Sequence, residues 1–208
     1  MAKRLAELVV TAAFWQSTAF SLLRIFCGTV AGIVLGSLLA SLTCHFILAD
    51  MILSPAIRVV RATPVASFII LVLLWVRTGQ VPGVISALMV LPILWESVSA
   101  GIKSVDPLLL ELARAYRFGT GKTMRYVYLQ SVMPHFSAGV CTAIGLAWKS
   151  GVAAEVLCLP KAAIGTQVYY SKIYLETPSL FAWTAVVIVL SLILEKLVLR
   201  LLRKGGQA

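Results

Sequence analysis

The residues able to do chemistry are few, and most lie inside apolar stretches. Glu96 sits beside Trp95, Lys149 beside Trp148, and Glu155 lies two turns beyond Lys149. An ionisable group in a bilayer costs about 2.5–3.5 kcal/mol on insertion scales, so it faces a partner or a water path. Two uses fit these residues. Glu96 and Lys149 can pair, or neutralise, and hold helices in register. Alternatively, Glu96, Trp148, Lys149 and Glu155 line a translocation path in which Lys149 attracts an anionic solute. Arg24, near a span end, can snorkel as an anchor. Catalysis has weaker support, because Glu96 and Glu155 are the only carboxylates an intramembrane enzyme could pair. His45 and His135 lie near opposite ends of different apolar stretches, without a carboxylate or Cys at metal spacing, so no metal site is expected. Cys27, Cys44, Cys141 and Cys158 form no CxxC pair and are expected as free thiols. Gly119-Thr120-Gly121-Lys122-Thr123 mimics the tail of a phosphate-binding loop, but position 116 is Tyr where the full pattern needs Gly.

The elements that hold these residues follow from composition. Of 208 residues, 60% are apolar and 12% charged, and the mean hydropathy is +0.96. A soluble domain has about a quarter charged residues. The composition therefore excludes a disordered chain and a nucleic-acid-binding domain and predicts one all-α, polytopic membrane domain over 1–208. Residues 1–18 predict an interfacial amphipathic segment. Five transmembrane spans are expected, at about 22–47, 64–76, 84–102, 136–157 and 180–202, each near the 20 residues a bilayer requires once flanks are included. The net charge of +10 sets the orientation. Loops 44–62, 103–134 and 196–208 hold eleven Lys and Arg residues and the other segments hold five, so the positive-inside rule puts the C-terminus in the cytoplasm and the N-terminus outside. Gly28, Gly32, Gly36 and Ala40 form a small-residue face on the first span. Such a face lets helix backbones approach closely, either within the chain or between subunits.

Residues 103–134 are the one long segment too polar for lipid. Asp106-Pro107 is a helix start. Leu108, Leu109, Leu112 and Tyr116 then recur at helical spacing, with Glu111, Arg114 and Arg117 on another side. Gly119 and Gly121 are expected to stop this helix, and Pro134 to end a second piece over about 122–132. A short amphipathic pair of this kind either lies on headgroups or projects into a groove on a partner.

Glu111-Leu112-Ala113-Arg114-Ala115 through Pro134, placed before the penultimate span, resembles the coupling loop of binding-protein-dependent ABC transporter permeases. Ser21-Leu22-Leu23-Arg24, Arg61-Ala62-Thr63-Pro64, Gly101 through Pro107, and Gly145-Leu146-Ala147-Trp148 with Ala154-Glu155 resemble the sulfonate/nitrate/taurine-type branch of that family. The likeness runs from about Ala19 to Arg203. Two positions depart from the family pattern. The Gly expected six residues after the Glu is Arg117, and the Leu-Pro near the loop's end is Leu129-Gln130. Members of this branch often carry a further span upstream of the position of Met1.

The resemblance implies an importer subunit in the bacterial inner membrane, with Glu111, Leu112, Ala113, Arg114, Ala115, Arg117, Phe118 and Gly119 coupling to ATP-binding-cassette ATPases. ATP would be bound and hydrolysed by those subunits, with no cofactor on this chain. An extracytoplasmic solute-binding protein would dock on outer loops including 161–177. A second permease subunit, in a homodimer, would complete the path for a small polar or anionic solute. Alternatives are the membrane scaffold of a vitamin importer lacking a soluble binding protein, which generally needs two long coupling helices, and a non-transport intramembrane protein.

Overall fold

The computed structural model describes residues 2–205, and no strand occurs among them. In chain order the helices are α1 (Ala2–Val9), α2 (Ala12–His45), α3 (Ile47–Ala62), α4 (Val65–Leu73), α5 (Val81–Lys103), α6 (Pro107–Ala115), α7 (Thr120–Thr123), α8 (Leu129–Cys158), α9 (Ile164–Ile173) and α10 (Thr177–Gly205), with a π-helical turn over Met124–Tyr128. Four stretches are long and apolar enough to cross a membrane: Ala12–His45, Val81–Lys103, Thr120–Cys158 and Thr177–Arg200.

Glycine contacts fix how these helices run. Gly28 faces Gly83, Gly32 faces Ala87 and Gly36 faces Leu91, so α2 and α5 are parallel neighbours. Gly101 faces Val132, Gly139 faces Ser97 and Gly151 faces Ser86, so α8 runs antiparallel to α5. The Trp148 indole donates to the Val187 carbonyl and Gly145 faces Glu195, so α10 runs antiparallel to α8. Because α2 and α5 are parallel, residues 46–80 must travel back across the bundle. They do so as α3 and α4, bent by 105°. At 1.5 Å per residue, α4 is only about 14 Å long and α3 about 24 Å, and neither alone spans a hydrocarbon core of about 30 Å. The break has a local cause: Pro64 disfavours helical backbone at the preceding residue, and Thr63 is extended (φ −80°, ψ 133°). The chain therefore crosses five times, and the start of α2 and the end of α10 lie at opposite faces.

Three boundaries differ from the sequence expectation. The first span begins at Ala12 rather than near Leu22, leaving only Ala2–Val9 of the expected 1–18 segment as a separate helix. Residues 12–21 are drawn into the bundle because Phe14 stacks on Trp183 (5.1 Å between centroids) and Ser17, Thr18 and Ser21 are buried. The expected inner loop 44–62 is helical, as α3. Pro134 ends no helix: α7, the π turn and α8 continue from Thr120 to Cys158. Prolines are tolerated inside membrane helices where side chains and local π adjustments re-satisfy the freed backbone. Here the one carbonyl that loses its donor is that of Gln130, four residues before Pro134 and at an exposed position, and the π turn lies just before it.

Candidate functional site: the exposed loop helix and the intramembrane charges

The loop helix is built by local rules. The Asp106 carboxylate accepts from the Leu108 amide at 2.8 Å, capping α6, with Pro107 in its first turn. At the other end the Phe118 amide donates to the Ala113 carbonyl (2.8 Å) and the Arg117 amide to the Arg114 carbonyl (3.0 Å). This pair of bonds is a Schellman closure, which needs a left-handed residue. Arg117 takes that role at φ 51°. Gly119 and Gly121, the expected stop, do not adopt positive φ; Gly119 instead precedes α7 with φ −66°.

Only a small contact ties α6 to its own chain. Ala113 is buried against Val105 and Val127, with Leu110 and Tyr128 half-buried beside it. The remaining apolar face is bare: Leu108 is 69% exposed, Leu112 55% and Tyr116 72%, with Leu109 and Phe118 also open. Glu111, Arg114, Ala115 and Arg117 are exposed on the same short element, and none of its charged groups forms an ion pair among the described residues.

The intramembrane charges separate into two kinds. Glu96 pairs with Arg61 across the α3–α5 boundary. The pair borders a cleft of about 340 Å³ that Asp50, Arg58 and Lys103 also line. Lys149 is exposed on an α8 stripe with Thr142, Leu146, Ala153 and Leu157. Trp148 and Glu155, by contrast, are buried in contacts within the chain. Trp148 is 1% exposed and its indole donates to the Val187 carbonyl (3.1 Å). One Glu155 oxygen accepts from the Ser21 hydroxyl (2.8 Å) and the Gly165 amide (3.0 Å), while Ser21 accepts from the Ile164 amide (2.9 Å). This node ties α2, α8 and the N-terminus of α9 together. Arg24 donates to the carbonyls of Lys161 and Ala162, bracing the same turn.

Sequence reasoning missed Arg61 as the partner of Glu96, Ser21 as the partner of Glu155, and Glu195, whose carboxylate lies against Gly145. Arg61 stands at a helix end before a Pro, the one cue that was available. The small-residue face packs within the chain: Gly28, Gly32 and Gly36 against α5, with Ala40 wholly buried. All four cysteines are free. Among the described residues, no group of three or more His, Cys, Asp or Glu gathers for a metal.

Residues 32–204 match the family described as the binding-protein-dependent transport system inner membrane component. The chain belongs to that family. It is the permease subunit of an ABC importer, a multi-pass inner-membrane protein. Relatives of this permease include the taurine transport system permease protein TauC of Escherichia coli, 25% identical over 88% of this chain and 67% of that one. The putative aliphatic sulfonates transport permease protein SsuC of Bacillus subtilis is 24% identical over 95% of this chain and 72% of that one. In the solved structure of an amino acid ABC transporter with histidines, the likeness covers 98% of this permease and 97% of that chain, with a TM-score of 0.69 and 19% identity. The MetNI methionine ABC transporter in an inward-facing conformation gives a TM-score of 0.70 at 16% identity, over 98% and 99% of the two chains. These two likenesses establish the fold.

Proposed function

We propose that this permease couples to ATP-binding-cassette ATPases through residues 106–130 and carries a small polar or anionic solute along a path completed by a second copy of the chain. The bare face of α6 carries the reading. An apolar, charge-flanked helix held by one buried alanine suits insertion into a groove on a soluble partner. Closure of the ATPases would move Glu111–Phe118 as a rigid lever and tilt α5 and α8, which the loop joins. ATP is hydrolysed on those subunits. Eleven basic residues on the loop side support a cytoplasmic C-terminus and an outside N-terminus. The opposite face, including 161–177, would receive an extracytoplasmic solute-binding protein.

The path reading applies to Lys149 and Glu96. Lys149 is the one charge on the exposed α8 stripe, and this stripe would face the pathway between two copies. Trp148 and Glu155 then sit behind the wall as supports. Lys149→Met is expected to cut uptake of an anionic solute at least tenfold while the assembled complex still purifies. Normal uptake by that variant sinks the path role.

The coupling element is tested by single cysteines at Glu111 and Arg114 in a Cys-free background, with crosslinking to the co-purified ATPase. Crosslinks whose yield changes with ATP are expected. A loop that reacts only with lipid-soluble reagents would make α6 a passive connector.

A further inference from the structure

A second cavity, of about 690 Å³, opens at the loop end of the bundle between α2, α5 and the π turn. It adjoins the Arg61–Glu96 cleft, with Cys44 lining both, and includes none of the exposed residues of α6. Its floor is apolar: Val98 is buried, and Ile102 and Val132 are half-buried. Met124 and Leu129 are exposed at its mouth. The polar lining is cationic or neutral, with Arg125 the permanent charge beside Ser41, His45 and Tyr128, and no Asp or Glu lines it. Arg125 forms no ion pair among the described residues.

The level of the cavity along the bundle is fixed by its walls. His45 is the last residue of α2, and Ile102 is one residue from the end of α5. The mouth is therefore at headgroup depth and the floor at acyl depth. One wall is the π turn Met124–Tyr128, a widened geometry that occurs disproportionately at functional sites. A cavity of this size falls within the range of ligand pockets.

We infer that this cavity holds one anionic phospholipid from the leaflet on the loop side, its phosphate on the Arg125 guanidinium and an acyl chain over Val98, Ile102 and Val132. The planar fork of Arg matches phosphate geometry, and basic pockets between membrane helices select acidic headgroups. The absence of a lining carboxylate leaves nothing to attract the ammonium of a zwitterionic headgroup. The inference needs only that the chain spans a bilayer; it places 121–129, the far part of the proposed coupling segment, against lipid and leaves α6 to the ATPase.

The test uses the full chain, co-reconstituted with its ATPase, in phosphatidylcholine vesicles carrying either photoreactive phosphatidylglycerol or photoreactive phosphatidylcholine. Adducts on residues 124–132 are mapped by mass spectrometry. The glycerol lipid is expected to label this segment about fivefold more than the choline lipid, the effect of one basic residue near a headgroup. Arg125→Gln should abolish the preference and Arg125→Lys should keep most of it; the position is exposed, so folding is preserved. Equal labelling by the two lipids in the unaltered chain overturns the inference, as does a preference that survives Arg125→Gln. Crosslinks from this segment to a second copy of the chain, without lipid adducts, would also overturn it by making the cavity a protein interface.

Discussion

Arg117 occupies backbone geometry that suits glycine. A left-handed conformation costs an L-residue about 1–2 kcal/mol, which Gly avoids, although Gly also loses more entropy on folding. The family's usual Gly falls at this position, so the mismatch was legible in the sequence; its backbone consequence was not. Arg117→Gly should stabilise the loop turn by about 1 kcal/mol. Slower hydrogen exchange at the Phe118 amide, whose bond to Ala113 closes the turn, would register the gain. Unchanged or faster exchange would show the turn to be unstrained. The Ser21–Glu155 node was not legible at all, because its partners lie 134 residues apart and only the fold joins them. Removing a buried partner leaves polar groups orphaned, at about 1–3 kcal/mol. Ser21→Ala strips Glu155 of a donor and the Ile164 amide of its acceptor. It should lower the thermal midpoint by several degrees in detergent, whereas Ser41→Ala, at an exposed position, should not.

Helix periodicity and capping gave away the elements more readily than their bends. A small residue at every fourth position predicted close approach, and α5 supplies the facing backbone. A Cβ added at Gly28 would lie 2.0 Å from the Gly83 carbonyl oxygen, so both backbones would have to separate. At Gly79 an added Cβ meets nothing within 4 Å. Gly28→Ala should therefore destabilise by about 3 kcal/mol, the upper range for overpacking, and Gly79→Ala should be neutral within about 0.5 kcal/mol. Denaturation of the purified complex separates them, and equal behaviour would mean that α2 and α5 do not depend on this contact. Pro134 misled for a physical reason: a proline removes one backbone hydrogen bond, here to the carbonyl of the exposed Gln130, and that single loss does not stop a helical run as long as Thr120–Cys158. The α3–α4 bend was hidden because hydropathy weighs each stretch separately, and neither half alone has the length to span.

At the scale of the whole molecule, parallel packing of α2 and α5 decides the topology. Two parallel neighbours cannot be joined by a tight turn, so the short apolar run 64–76 had to belong to a longer return path beginning at Ile47. Counting spans gave five because that run was apolar, while the structure gives five because two half-length helices share one crossing. The charge distribution follows the same topology: Arg117, Lys122 and Arg125 gather at one end of the bundle, and the α4–α5 connection carries Arg77 at the other. This arrangement makes a direct prediction. In a Cys-free background, a membrane-impermeant maleimide applied from outside should label Gly79→Cys in intact cells and leave Gly121→Cys unlabelled until the membrane is opened. Both added side chains meet open space, with nothing within 4 Å, so neither substitution should disturb the fold. With Val10→Cys, exposed just before α2, marking the outer face, labelling of Gly121→Cys together with Val10→Cys while Gly79→Cys stays protected would mean that α3 and α4 enter and leave by the same face. The chain would then cross four times, α2 and α5 would have to run antiparallel, and the Gly28–Gly83, Gly32–Ala87 and Gly36–Leu91 register could not exist.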